Sequence, residues 1–269
     1  MKHQFKYVWI VLLIFIAFIL METFPLVIEA EPLPMIKKDE VYFTFFQLKD
    51  GESTYIQGTD GKNILINTGS PLSEEDLIFQ LEELDVKSID KLILTRQTSD
   101  YCGNTSRLIE RYRISEVIYA GGLSFCNTQT EGLTKIKWAP NDSHVLIDHL
   151  NFKVLDAEAN GDMSLEISYG KTSLLYLTHS ELDAEDDILK QSIDPQIIKI
   201  GDYARGKSPS SYFLSKIDPH MSIVFTCKKC KPNEGLIERL NESWIDVYQL
   251  NRVGTTIIRM DLQDYEILS

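Results

Sequence analysis

The stretch Leu92-Ile-Leu-Thr-Arg96-Gln-Thr98-Ser-Asp100-Tyr101-Cys102-Gly-Asn104 gathers the residue types most able to do chemistry. It reads as a buried strand, Leu92–Thr95, that runs into a polar turn and then a helix starting near Asn104. Loops held at strand ends are where binding and catalytic side chains concentrate. This turn offers one carboxylate, Asp100, beside a permanent cation, Arg96, whose guanidinium stays charged at any working pH. The histidines are His3, His144, His149, His179 and His220. His144 and His149 flank a strand without metal-ligand spacing, and His220 sits in an Asp-Pro-His turn. No Ser/His/Asp arrangement is readable. The cysteines offer a second chemistry. Cys227-Lys-Lys-Cys230 has redox-motif spacing, but it follows a strand without a thioredoxin-like context. Two structural disulfides, Cys102–Cys126 and Cys227–Cys230, are the preferred account. The first pair would join the ends of neighbouring strands. Free thiols, or a metal-binding or thiol-active pair, are the alternatives.

The elements that must position these groups alternate along the chain. Val41–Leu48, Ser53–Gln57 and Asn63–Asn67 read as strands, with Asp60-Gly61 as a hairpin turn. Ser73-Glu-Glu-Asp76 reads as a capping box, opening a helix with Leu77, Ile78, Leu81 and Leu84 on one face. After the Leu92–Thr95 strand come helix 104–112 and strand Val117–Ala120, and residues 123–140 read as loop. Val145–Ile147, Phe152–Leu155, Ser164–Ser168 and Ser173–Thr178 are the next strands, and Glu181–Gln191 an acidic helix. Strands Ile197–Ile200, Ile223–Thr226, Ile245–Tyr248 and Thr255–Asp261 follow, with helices Ser211–Ile217 and 234–240 between them. Helices alternating with buried strands indicate a sheet covered by helices.

Composition narrows the partners. The chain has 27 Lys and Arg against 40 Asp and Glu, a formal charge of −13. A phosphate backbone needs a basic surface that releases counter-ions, so nucleic acid is not expected. At the N-terminus, the basic segment Met1–Lys6 precedes 15 uncharged residues, Tyr7–Met21, and then Glu22, Glu29 and Glu31. Basic before and acidic after puts the N-terminus in the cytoplasm and the rest outside. Residues 1–30 are read as a membrane anchor or a cleaved signal peptide, 31–40 as a linker and 41–269 as the folded domain.

Six landmarks together resemble the metallo-β-lactamase fold superfamily, in its ComEC competence-protein-like branch. They are Gly51-Glu52-Ser53, Asp60-Gly61-Lys62, Asn67-Thr68-Gly69, the Arg96–Asn104 turn, the Tyr169-Gly170-Lys171 hairpin leading to Thr178-His179-Ser180, and Gly201-Asp202-Tyr203. The resemblance covers about residues 41–262. It implies an α/β (α+β) fold, an αββα sandwich of two mixed β-sheets flanked by helices, here with an N-terminal membrane segment added. It also implies phosphodiesterase- or nuclease-like hydrolysis on two zinc ions, which needs imidazole and carboxylate ligands around an open position.

Carried over position by position, the ligand set becomes Arg96, Thr98, Asp100, Tyr101, Ser180 and Asp202. Asp156 stands loosely where a further His is common. Only Asp100 is kept. Arg96 falls where a metal would sit, and can serve as counter-ion to Asp100 and Asp202. His179 is the one histidine at the site. Asp100, His179 and Asp202 are therefore weak metal candidates within a degenerate pocket that also holds Arg96, Thr98, Tyr101, Ser180 and Tyr203. The expectation is a pseudoenzyme without zinc or catalytic residues. It would be held at the cell membrane by a single N-terminal anchor with its domain outside, or else secreted. It would act as a binding or accessory module for a protein or small molecule. The alternatives are a residual metal-dependent hydrolase and a thiol-active extracytoplasmic protein.

Overall fold

The computed structural model describes residues 39–123, 126 and 132–268. The expected membrane segment 1–30 and nearly all of the linker 31–40 lie outside them. Among the described residues no helix is long and apolar enough to cross a membrane.

Among the described residues, fifteen strands form two sheets. The eight-stranded sheet runs, in spatial order, Tyr265–Leu268, Thr256–Asp261, Glu40–Phe45, Thr54–Gly58, Asn63–Ile66, Lys91–Leu94, Glu116–Tyr119 and Thr134–Lys137. It is antiparallel as far as Asn63–Ile66 and parallel beyond. The seven-stranded sheet runs Asp246–Gln249, Met221–Val224, Ile197–Lys199, Thr172–Tyr176, Met163–Tyr169, Leu150–Ala157 and Ser143–Ile147. Its first four strands are parallel and the rest antiparallel. Both sheets are thus mixed, as expected.

Residue alternation explains the layers, because successive strand side chains face opposite sides of a sheet. Ile93 points into the core between the sheets, with Phe43, Ile56, Phe152, Ile167 and Leu174. Its neighbours Leu92 and Leu94 point outward, onto Leu77 and Leu81 of helix Glu74–Glu83 and Leu108 and Ile109 of helix Thr105–Tyr112. The second sheet behaves likewise. Leu174 and Ile197 face inward, whereas Leu175 and Ile198 meet Ile188, Phe213, Leu214, Leu236 and Leu240 from the helices on its far side. The result is helix, sheet, sheet, helix.

Several boundaries differ from expectation for physical reasons. Ser73 does not cap its helix through its side chain. Its hydroxyl bonds the backbone of Asp50 instead, accepting from N at 2.9 Å and donating to O at 2.8 Å. The acidic helix shortens to Glu185–Leu189, since Leu182 stays exposed and supplies no buried face. The segment read as loop contains the edge strand Thr134–Lys137, and a closing strand, Tyr265–Leu268, was not anticipated. Both disulfides form as expected, with Cα–Cα distances of 5.6 Å for Cys102–Cys126 and 5.1 Å for Cys227–Cys230.

A main-chain knot fixes the Arg96–Asn104 turn against the first sheet. Asp100 O accepts from Glu52 N at 3.2 Å, Tyr101 O from Thr68 N at 2.7 Å, and Gly69 O from Gly103 N at 3.0 Å. Gly51 lets the backbones approach. Its φ is +92°, and a Cβ there would lie 2.3 Å from Asp100 O. Replacing Gly51 with Ala should therefore cost about 2 kcal/mol or more. A lowered urea midpoint with an unchanged slope would show it, and an unchanged midpoint would refute the knot.

Candidate functional site

The candidate site lies where turns from both sheets meet. Met163 N donates to Thr95 O at 2.8 Å, and Thr178 Oγ1 to Met163 O at 2.8 Å, so the strand ends of the two sheets are stitched together there. Arg96 leaves this seam and makes four hydrogen bonds. Its Nε and Nη2 donate to Asp162 Oδ1 and Oδ2 at 2.9 and 2.7 Å, a two-pronged pairing. Nη1 donates to Asp202 Oδ1 at 3.2 Å and Nη2 to Thr178 O at 3.1 Å. The side chains of Arg96, Asp162 and Asp202 are 15, 13 and 14% exposed. Burial alone would push the Arg96 guanidinium down. The Asp162 hydrogen bonds and the surrounding negative groups hold it above its ordinary value.

Asp202 also pairs with Arg205. It sits in the turn Gly201–Ala204, where Asp202, Tyr203 and Ala204 all have positive φ, at 48°, 57° and 58°. Consecutive left-handed non-glycine residues are strained. The contacts of Asp202 and Tyr203 oppose that strain. Tyr203 Oη donates to Asp100 Oδ2 at 2.8 Å, and Thr98 Oγ1 to Asp100 Oδ1 at 2.6 Å. The Tyr203 hydroxyl is held far above the usual phenol range, by burial first. Together Arg96, Gln97, Thr98, Asp100, Asn160, Asp162, Asp202 and Arg205 line a cleft of about 360 Å³. A larger, open groove of about 870 Å³ along helix Glu234–Glu242 contains none of these groups.

Beneath the cleft is a buried ion pair. Lys199 ends strand Ile197–Lys199 on its inward face, and its Nζ lies 2.7 Å from Glu52 Oε2, with both side chains fully buried. Lys199 Nζ also donates to Leu177 O at 3.0 Å and stands 4.4 Å from the Tyr176 ring centroid. Glu52 Oε1 accepts from Asn67 Nδ2 at 2.9 Å and Tyr176 Oη at 3.2 Å. Asn67 in turn accepts from Thr95 N at 2.9 Å, at the root of the turn. Burial pushes Glu52 up and Lys199 down, and the charge of each opposes the shift of the other.

The structure regroups the weak metal candidates. Asp100 is held by Tyr203 and Thr98, Asp202 by Arg96 and Arg205, and His179 faces elsewhere, between Asp156 and Glu158. Among the described residues, Asp156, Glu158 and His179 are the one group of three such side chains close enough to share an ion. Ser180 contributes backbone: its carbonyl accepts from Lys207 N and Ser208 N at 2.8 and 3.0 Å. Tyr101 is buried under the Arg96 guanidinium, 5.2 Å from its ring centroid. Cys102 braces the same turn through Cys126. The donor set at the positions implied for two zinc ions is thus Arg96, Thr98, Asp100, Tyr101, Ser180 and Asp202. It has no imidazole and includes a cation already paired with two carboxylates, so it does not fit a dinuclear zinc centre.

Sequence reading missed Asp162, Glu158, Arg205 and Lys199. The lone lysine in the apolar run Ile197-Ile-Lys199-Ile200 was the available signal for the last. It occupies an inward position, which calls for a buried acidic partner.

No family model matches the chain. Among curated proteins, the chain is 21% identical over 241 residues to ComE operon protein 3 of Bacillus subtilis, covering 76% of this chain and 31% of that protein. It is 23% identical over 171 residues to Recombination protein 2 of Haemophilus influenzae, covering 61% and 22%. The chain thus spans less than a third of the length of these relatives. Among solved structures, the metallo-β-lactamase fold protein YhfI of Bacillus subtilis aligns with a TM-score of 0.62 at 11% identity, over 82% of this chain and 100% of that one. A diphosphatase of the PhnP family aligns at 0.56 and 14% identity, over 83% and 98%. The fold is that of the metallo-β-lactamases, and the curated relatives support the ComEC-like branch that the motifs resemble.

Removing one partner of a buried pair leaves a stranded charge. Lys199→Met should lower unfolding stability by about 3–5 kcal/mol, and adding Glu52→Gln should recover much of it. Chemical denaturation of Lys199→Met, Glu52→Gln and the double variant checks this. Additive losses would show that the pair is not coupled.

Proposed function

We propose that this chain is a metallo-β-lactamase-fold protein without dinuclear hydrolase activity, acting as a binding or accessory module. The observation that carries this reading is Arg96. Its guanidinium stands at the first ligand position of the metal turn, with its hydrogen bonds directed to Asp162, Asp202 and Thr178 O. A zinc centre works by ionising a bound water, and a guanidinium has neither a coordination position nor a titrating proton near neutral pH. The partner is a protein or small molecule, with nucleic acid disfavoured by the charge of −13. The segment Met1–Glu31 supports a placement outside the cytoplasm, anchored by the N-terminus or secreted.

Hydrolysis of bis(4-nitrophenyl) phosphate and 4-nitrophenyl acetate by the full-length chain, with zinc or manganese supplied, tests the proposal. The expected rate equals that of the metal-containing buffer alone. Turnover above that blank, lost on replacing Asp100 with Asn, would overturn the proposal in favour of a residual hydrolase.

A further inference from the structure

Among the described residues, His179 is the one imidazole near the cleft, and neither the Arg96 cluster nor the buried ion pair uses it. It is 8% exposed, in the turn after strand Thr172–Tyr176. Asp156, near the end of strand Leu150–Ala157, abuts its Nε2. That nitrogen makes no hydrogen bond of normal geometry. On the other side of the ring, Glu158 Oε1 is 3.4 Å from Nδ1.

The turn that follows fixes Glu158. Its other oxygen accepts from Asn160 Nδ2 at 3.0 Å, its amide donates to Asp162 O at 2.8 Å, and its carbonyl accepts from Gly161 N at 3.1 Å. The backbone of His179 is fixed as well. Gly201 packs so tightly on it that a Cβ would lie 2.0 Å from His179 O. A buried imidazole, two carboxylates and a polar group orienting one of them are the parts of a divalent-cation site. One oxygen from each carboxylate and one ring nitrogen lie within 4.8 Å of one another.

The local charge agrees. Asp162 and Asp202 are neutralised by Arg96 and Arg205, whereas among the described residues the ion-pair partner of Asp156 and Glu158 is the ionisable ring of His179. We infer that Asp156, Glu158 and His179 hold a single divalent cation, with the remaining coordination positions open to water or to an oxygen-bearing ligand. Asp156 stands loosely where the dinuclear centre has a His, whereas Glu158 and His179 do not stand at its ligand positions, so the site is offset from the metal position taken by Arg96. One imidazole with two carboxylates suits zinc, cobalt or manganese.

Cobalt is the probe, because its visible absorption reports coordination and needs no turnover. The untagged full-length chain, stripped with chelator and titrated with Co²⁺ at neutral pH, should take up one ion through His179, with a visible band that zinc displaces. His179→Ala should weaken binding by about tenfold or more. Glu158→Gln, at a half-exposed side chain where folding is not at risk, should do the same. His220→Ala, at a histidine beside Tyr265, should leave binding as it was. No band at saturating cobalt, or a band of equal affinity in both site variants, would overturn the inference. Either result would leave the hydrolysis test undecided, so the two proposals fail separately.

Discussion

Carboxylates brought together at the mouth of a sandwich need a positive charge among them. In this protein the covalent chain supplies it. Arg96 spans the gap between the two sheets, with two prongs on Asp162, one hydrogen bond on Asp202 and one on the carbonyl of Thr178. Each contact reaches a different turn. The guanidinium therefore does for the strand ends what a metal ion does where imidazoles converge. It balances charge and holds loops in register. Two consequences depend on it. The left-handed run Asp202–Ala204 is held partly through Asp202, and the Asn160-Gly-Asp162 turn is held through Asp162.

A second, deeper pairing carries the same logic inward. Glu52 and Lys199 meet between the sheets, where either alone would carry a large desolvation cost. Glu52 lies in the loop that leads into strand Thr54–Gly58 of the first sheet, and Lys199 ends a strand of the second. Asn67 and Tyr176 complete the shell around the carboxylate. Exchange of both partners for apolar groups can be tolerated at such a pair, whereas loss of one cannot. The ion pair thus ties the sheets into one alignment under the cleft and fixes the base of the Arg96 turn through Asn67 and Thr95.

How much of this the sequence carries varies with range. Local patterns were readable: apolar alternation located most strands, Asp60-Gly61 gave its hairpin, and the six landmarks gave the fold. Polar edge elements were not. Thr134-Lys-Ile-Lys137 has only one apolar residue and little to separate it from loop, though it pairs along Glu116–Tyr119. Ser73 shows why a local motif can mislead: its hydroxyl found the backbone of Asp50 rather than its own helix. The site was half legible. Arg96, Asp100 and Asp202 stood out by position. Arg205 lies only three residues from its partner Asp202, but Asp162 and Tyr203 are brought to Arg96 and Asp100 by how three turns converge, and no spacing along the chain encodes that.

The most direct test of Arg96 as built-in counter-ion is a thermodynamic cycle. The unfolding free energy of the full-length chain would be measured with chelator present, so that no ion can substitute. Arg96→Met would be made in the natural background and in a background carrying Asp162→Asn and Asp202→Asn. In the natural background the loss should be about 3 kcal/mol, since Asp162 is left without its cation in a sheltered site and Asp202 keeps Arg205 alone. In the neutralised background it should fall well below that, with a coupling of about 1 kcal/mol or more. Equal losses in both backgrounds would contradict the account. Arg96 would then contribute packing alone, and the charge balance of the cleft would have to come from elsewhere.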